Sequence, residues 1–389
     1  MSLAIDLPNE AGKLEPYTLS EPTNYAPPEK GFSSRVLYAA AHVVADENAD
    51  NSEGKAATVD WDKTLAFRHH LWNYGFGVAE AMDTAQRGFG LDWEATKELI
   101  RRSVDEAKKV DGLIACGAGT DQVGDDYSAL SLDDVIAAYE EQIDYVESCG
   151  GRIILMASRA LAAVAQNGDD YLKVYGHLLS KVKEPVILHW LGDMFDPKLN
   201  GYWGSKDWRE AGATLLEIIK QNRGKVDGMK MSLLDDAKEI ELRRQLPEGV
   251  KMYTGDDFNY DVLIKGDEQG FSHGLLGIFD PIAPAAAAAM EALESGDTDS
   301  YDRIFAPTVP LSRHIFETPT FYYKTGIVFM AYLNGQQDHF KMVGGLEDKR
   351  SLEHLVELFK LADKAGLLSQ PELAVERMKS VLTERMVGA

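Results

Sequence analysis

The feature that most constrains this chain is a rhythm. From residue 35 to about residue 290, short apolar runs alternate with long amphipathic stretches. The runs are RVLYAAAHVVAD (35–46), GVAEAMDTAQ (77–86), DGLIACGAGTD (111–121), GRIILMASRAL (151–161), PVILHWLGD (185–193), VDGMKMSLLD (226–235), VKMYTGDD (250–257) and HGLLGIFDPI (273–282). Between them lie helical patterns such as DWEATKELIRRSVDEAKKV and SLDDVIAAYEEQIDYVESCG. A short run buried on both faces reads as a parallel strand, and the stretch after it as the helix that carries the chain back. Eight such units over about 250 residues predict an α/β chain closed into a (β/α)8 TIM barrel. A doubly wound open sheet is the alternative. No GxGxxG follows the first run, and the repeat count closes a cylinder. Residues 1–34 are rich in Pro, Glu and Ser without a clear period and read as an extended N-terminal arm. Residues 291–389 carry helical patterns only. The expected organisation is therefore an arm (1–34), a barrel (35–290) and a C-terminal helical extension (291–389).

Composition narrows the function. Acidic residues outnumber basic ones, 63 to 40, for a net charge of −23. That balance excludes nucleic acid and anionic membrane surfaces as expected partners. No apolar run approaches the ~20 residues needed to span a bilayer. The opening MSLAIDLPNEAGKLEP lacks the basic start and apolar core of a secretion signal. Cys116 and Cys149 form neither a CxxC nor a Cys/His cluster, so no structural zinc site or disulfide framework is expected. A reducing cytoplasm is the simplest compartment.

In a barrel, chemistry gathers at the C-terminal ends of the strands. Here those ends carry His42, Asp46, Glu80, Asp83, Thr84, Thr120, Asp121, Ser158, Arg159, His189, Lys230, Ser232, Asp256, Asp257 and Asp280. Lys230 stands out. It sits inside an apolar run, where an ammonium is costly to bury. The bland reading is a stem along the strand with its head in water. The sharper one is an amine whose pKa is lowered by a dry pocket, a nucleophile toward carbonyls. Strand alternation puts Gly228, Lys230 and Ser232 on one face and Met229 and Met231 on the other. The small-residue face is the expected interior, which sets Lys230 beside His189 of the preceding strand.

At this point the chain resembles the dihydrodipicolinate synthase and N-acetylneuraminate lyase superfamily of Schiff-base aldolases, as a distant, uncharacterised branch. DGMKMSLLD resembles its G-x-K-x-[ST] strand, PVILHWLG the strand ending in Tyr-Asn-x-Pro, MYTGDD its GDD element, and LIACGAGTDQ its Gly-rich segment. PTFYYKTGIVF and FKLADKAGLL resemble its C-terminal helices, so the likeness spans about residues 35–365. The resemblance implies that Lys230 forms the imine. His189 falls where the family has its proton-relaying tyrosine, and a histidine moves protons near neutral pH. Asp256 and Asp257 fall on the largely structural GDD element. The family's GTTGE turn, which holds a keto acid carboxylate, falls on DTAQR (83–87). Only Thr84 survives of its two threonines, which argues against pyruvate as the substrate. Arg159 is the substitute anion holder. The resemblance also implies a homodimer or homotetramer.

The expected function is a lyase, an aldolase or dehydratase, acting without a cofactor on a small keto acid or sugar-derived carbonyl compound. Lys230 and His189 are the expected catalytic residues. Thr84, Asp83, Glu80, Arg159, Ser232 and Asp257 are the expected substrate-binding residues. One alternative is a metal-dependent barrel lyase or isomerase using His42, Asp46, Glu80, Asp83, His189, Asp257 and Asp280, though no compact HxH or HExxH spacing supports it. The other is a non-catalytic ligand-binding barrel. The histidines of RHHLW (68–72) read as surface or interface residues of an amphipathic helix rather than ligands, and FYYK (321–324) with FMAY (329–332) as a helix core or subunit contact.

Overall fold

A computed structural model describes residues 3–9 and 11–387. Every one of the apolar runs contains a strand. After an N-terminal hairpin, β1 (Ala4–Pro8) and β2 (Leu14–Thr18), come β3 (Leu37–Ala40), β4 (Gly77–Glu80), β5 (Ile114–Ala118) and β6 (Arg152–Leu155). They are followed by β7 (Val186–Leu191), β8 (Val226–Ser232), β9 (Lys251–Thr254) and β10 (His273–Leu276). Strands β3 to β10 form a closed parallel barrel in chain order, with β10 pairing back onto β3. The fold is the (β/α)8 barrel.

The helices start where the sequence supplies acceptors for their free N–H groups. Asp92 caps the helix Trp93–Val110, and Ser131 with Asp134 makes a capping box on Leu132–Cys149. Asp207 caps Trp208–Gln221 and accepts from two backbone N–H groups.

The barrel interior is a layer of Tyr38, Ala40, Ala79, Ala115, Ile154, Ile187, Tyr253 and Leu275, each buried. Strand β8 contributes Gly228 at this level, in register with Ile187. A Cβ there would stand 2.6 Å from both the Lys251 carbonyl and the Tyr253 ring, so glycine is what lets the tyrosine cross the floor. Because Gly228 faces inward, Lys230 and Ser232 do too. Met229 and Met231 take the opposite face and are fully buried.

The chain divides into two units. One holds the barrel, residues 35–41 and 77–277; the other joins residues 1–34, 42–76 and 278–389. The second unit is helical except for the hairpin. The arm reads as aperiodic in sequence, but β1 alternates, with Ile5 and Leu7 buried and Asp6 exposed. The period is short, and the proline-rich stretch after it masks the signal. Tyr17 of β2 donates to Asp363 at 2.7 Å. The helix Tyr323–Leu333 is buried at every position, so FMAY and the second half of FYYK lie within the protomer's own core, while Phe321 and Tyr322 are half-buried. Arg68 of RHHLW is fully buried and donates to the Thr64 carbonyl, while His69 and His70 are half-buried. Among the described residues, no helix is long and apolar enough to cross a membrane.

Candidate active site

Strand β8 carries Lys230 into the barrel, paired in register with His189 of β7, while Ser232 pairs with Leu191 two residues further along. Lys230 is 7 % exposed and His189 fully buried. Burial lowers the Lys230 pKa from its usual 10.5, and the carboxylates of Asp83 and Asp257 only partly oppose it. Burial also drives His189 well below the usual imidazole range, and the charge of Lys230 adds to this. His189 is thus a neutral base beside an amine that gives up its proton more readily than a free lysine. The Ser232 hydroxyl is 3.5 Å from His189 Nε2, at the limit of a hydrogen bond, and Nδ1 has no partner among the described residues. A buried, unpartnered ring nitrogen costs roughly 1–3 kcal/mol, a penalty retained here next to a buried lysine.

Room for this pair is provided by Gly255. A Cβ at that position would lie 2.1 Å from Ser232 Oγ and 2.7 Å from Lys230 Cε. Gly255→Ala is therefore expected to tilt Lys230 off its path and lower kcat by about tenfold or more, with smaller change in KM, because about 1 Å of misplacement suffices for such losses. Steady-state kinetics on the folded variant check this.

At the C-terminal ends of β4 to β7 lies a cavity of about 150 Å³. Asp83, Arg87, Thr120, Asp121, Asp125, Tyr127, Ser158, Arg159 and Asp196 supply its polar groups, and Met156, Leu191 and Leu199 its apolar ones. Lys230 and His189 are not among the wall residues; Asp83 is the wall residue whose charge acts on Lys230. The Thr120 and Ser158 hydroxyls are 2.6 Å apart. Arg159 keeps 24 % of its side-chain exposure and is paired with Asp196 at 2.5 Å, so a substrate anion there would share an already matched charge.

The turn after β4 departs from the family pattern as the sequence indicates. Asp83–Ala85 is a 3-10 turn, and Ala81 and Gln86 hold left-handed backbone angles of 53° and 67°. Where the pattern has glutamate stands Arg87, almost fully buried. Its guanidinium donates to the Gly117 carbonyl at 2.9 Å and Gln142 Oε1 at 2.7 Å, and pairs with Asp121. Burial pushes the Asp121 carboxyl up, but Arg87 and Gln142 outweigh it and hold it below the usual range.

Of the residues singled out from sequence, Lys230, His189 and Ser232 come together, with Asp83 and Asp257 acting on the amine. Arg159 reaches the cavity. Thr84 is buried in the turn beside Asp83 but does not line the cavity. Glu80 follows the inward Ala79 and so turns to the outer face, where it accepts from the Ala81 N–H at 2.8 Å. Its charge there raises the Cys116 thiol further, after burial. Asp256 is structural: it accepts from Phe258 and Asn259 N–H groups. Of the residues weighed as metal ligands, His42 and Asp280 pair with one another at 2.8 Å in the other unit. Among the described residues, these candidates form no group of three within reach of one ion. Sequence reasoning missed Arg87, Tyr127 and Asp196. Arg87 was in view as a departure from the GTTGE pattern, whereas Tyr127 and Asp196 lie on loops with no period or motif.

No curated protein matches the chain. Solved structures do. A prophage protein of the dihydrodipicolinic acid synthase family from E. coli K12, YagE, in complex with pyruvate, aligns with a TM-score of 0.66 at 13% identity, covering 86% of this chain and 99% of that one. Dihydrodipicolinate synthase from Aquifex aeolicus aligns at 0.64 and 13% identity, covering 86% and 99%. The enzyme from Bacteroides thetaiotaomicron aligns at 0.64 and 14%, covering 85% and 99%. These identities carry the fold. A family model matches residues 5–387, essentially the whole described chain. On a barrel shared with the dihydrodipicolinate synthases, the chain belongs to the family described as "Protein of unknown function (DUF993)".

Proposed function

We propose that this protein is a lyase, an aldolase or dehydratase, that forms a Schiff base between Lys230 and a small keto acid or sugar-derived carbonyl compound. The observation that carries the reading is an inward-facing, buried amine with a lowered pKa, in register with a buried, neutral imidazole. Neutral Lys230 attacks the carbonyl carbon, and the carbinolamine loses water to give an iminium. The iminium accepts the electron pair of a breaking neighbouring C–C bond, or of a C–H bond whose loss precedes expulsion of a hydroxyl. His189 takes the proton released in either case and returns it, to the enamine carbon after C–C cleavage or to the departing hydroxyl in dehydration, and hydrolysis of the iminium regenerates the amine. Ser232 and the Thr120–Ser158 hydroxyls suit a hydroxylated substrate, and Arg159 an acidic end. Pyruvate bound to YagE supports a small keto acid as the class. The proposal includes a cytoplasmic protein that assembles as a homodimer or homotetramer.

Borohydride reduction in the presence of a panel of keto acids and ketoses tests it. The expected result is a stable mass increment on the peptide containing Lys230 with at least one compound. No adduct across the panel overturns the imine.

The pH profile offers a second check. Only neutral Lys230 attacks, so kcat/KM rises with pH through the lowered pKa and levels off below the ordinary lysine value of 10.5. Asp257 favours the charged amine. Asp257→Asn is therefore expected to move the acid limb to lower pH, whereas an unmoved or raised limb contradicts the assignment.

A further inference from the structure

One side-chain cluster in the other unit has the geometry of a cation site. His314 lies in the last turn of the helix Thr308–Ile315, Glu317 follows that helix, and His354 lies in the first turn of Leu352–Lys364. The two imidazoles stack, with centroids 4.1 Å apart and planes inclined by 19°. Both present Nδ1 to one carboxylate: His354 at 2.8 Å from Oε1 of Glu317, His314 at 3.4 Å from Oε2. The three residues each offer one ligand atom, all within 4.8 Å of one another.

The protons decide what this arrangement wants. His314 Nε2 is 2.9 Å from the His354 carbonyl, which can only accept, so Nε2 carries the hydrogen. In the neutral ring that leaves a lone pair on Nδ1, facing a carboxylate oxygen. Two acceptors then oppose each other, and a cation between them removes the conflict. An ion with bonds of about 2.0–2.1 Å in tetrahedral geometry sets its ligand atoms about 3.4 Å apart. A ring whose second nitrogen donates to a backbone carbonyl is also the outer arrangement metal-bound histidines adopt. The neighbouring cation, Arg350, donates to the carbonyls of Ile315, Glu317 and Pro319 and so fixes the loop that carries the carboxylate. His354 is 5 % exposed and His314 15 %, while Glu317 is 47 % exposed and leaves a way in.

We propose that His314 Nδ1, the Glu317 carboxylate and His354 Nδ1 bind one divalent ion of the Zn²⁺ type, with water completing the shell. Two imidazoles and one carboxylate suit Zn²⁺ or Co²⁺ and disfavour Mg²⁺ and Ca²⁺. The ion would tie the end of one helix to the start of another.

Equilibrium dialysis of the full, chelator-stripped chain against Zn²⁺, read by elemental mass spectrometry, tests this. About one equivalent should be retained, and Co²⁺ should give visible d–d bands that Zn²⁺ displaces. His314→Ala and His354→Ala should abolish retention, and Glu317→Gln should weaken it by about tenfold or more. Zn²⁺ should raise the melting midpoint of the parent chain where Mg²⁺ does not, a reading independent of whether the variants fold. Retention below about 0.1 equivalent by the parent chain overturns the site. So does retention unchanged by His314→Ala, or an NMR signal showing Nδ1 of His314 protonated at saturating Zn²⁺.

Discussion

Lys230→Met is expected to abolish the borohydride-dependent adduct and to lower turnover by a factor of about 10³ or more, because a thioether cannot stand in for a covalent nucleophile. The same variant is expected to melt higher than the parent. Methionine has a similar reach and lacks the charge, and the parent retains an ammonium that burial disfavours. Removing such a group from a functional site typically gains about 1–2 kcal/mol. The gain depends on pH in a defined direction. The folded-state pKa lies below the unfolded one, so between the two values the unfolded chain binds more protons and parent stability rises with pH. The advantage of Lys230→Met should therefore be largest below the folded-state pKa and shrink as pH rises toward 10.5. Melting curves at several pH values, with intact mass after reduction, read both effects. A variant that loses activity and also loses stability across this range would mark Lys230 as a structural residue.

The second large effect concerns Arg87. Arg87→Met removes a guanidinium in the cavity wall that joins Gly117, Gln142 and Asp121. Asp121 is partly exposed and keeps access to water, so the cost is that of the buried Gly117 and Gln142 acceptors left without this donor, about 1–3 kcal/mol. Chemical denaturation should show a loss of that size with an unchanged m-value. Since Gln142 also accepts from the Gly119 N–H at 2.6 Å and donates to Asp121 at 3.0 Å, the loop after β5 should loosen with it. Substrate affinity should then fall even under conditions where the variant is fully folded. A loss below about 1 kcal/mol would mean that the guanidinium's partners find water in its absence.

The barrel was legible because parallel strands covered on both faces need unbroken apolar runs, and every run found in the sequence holds a strand. Lys230, His189 and Ser232 were legible because a period of two fixes which face each occupies once the interior is known. The same rule, applied to Ala79, turns Glu80 away from the cavity; the polar strand end suggested a site residue, and alternation decides otherwise. The Arg159–Asp196 and Arg87–Asp121 pairs were not legible. They join side chains 37 and 34 positions apart, from loops whose paths depend on packing rather than on any local pattern. The His314–Glu317–His354 cluster hides for the same reason, since its spacing of 40 residues between histidines matches no compact motif.

The unit outside the barrel gathers residues 1–34, 42–76 and 278–389, and its hairpin is held by a hydrogen bond spanning 346 positions, from Tyr17 to Asp363. On the ribosome, at about 5–20 residues per second, that separation means the hairpin waits on the order of 20–70 s for its partner to be made. Through that interval Ile5 and Leu7 have no completed unit to enter, and the last helices arrive to find the first strands already old. A nascent chain of this kind is expected to engage a holding chaperone near its start and release it only when synthesis is nearly finished.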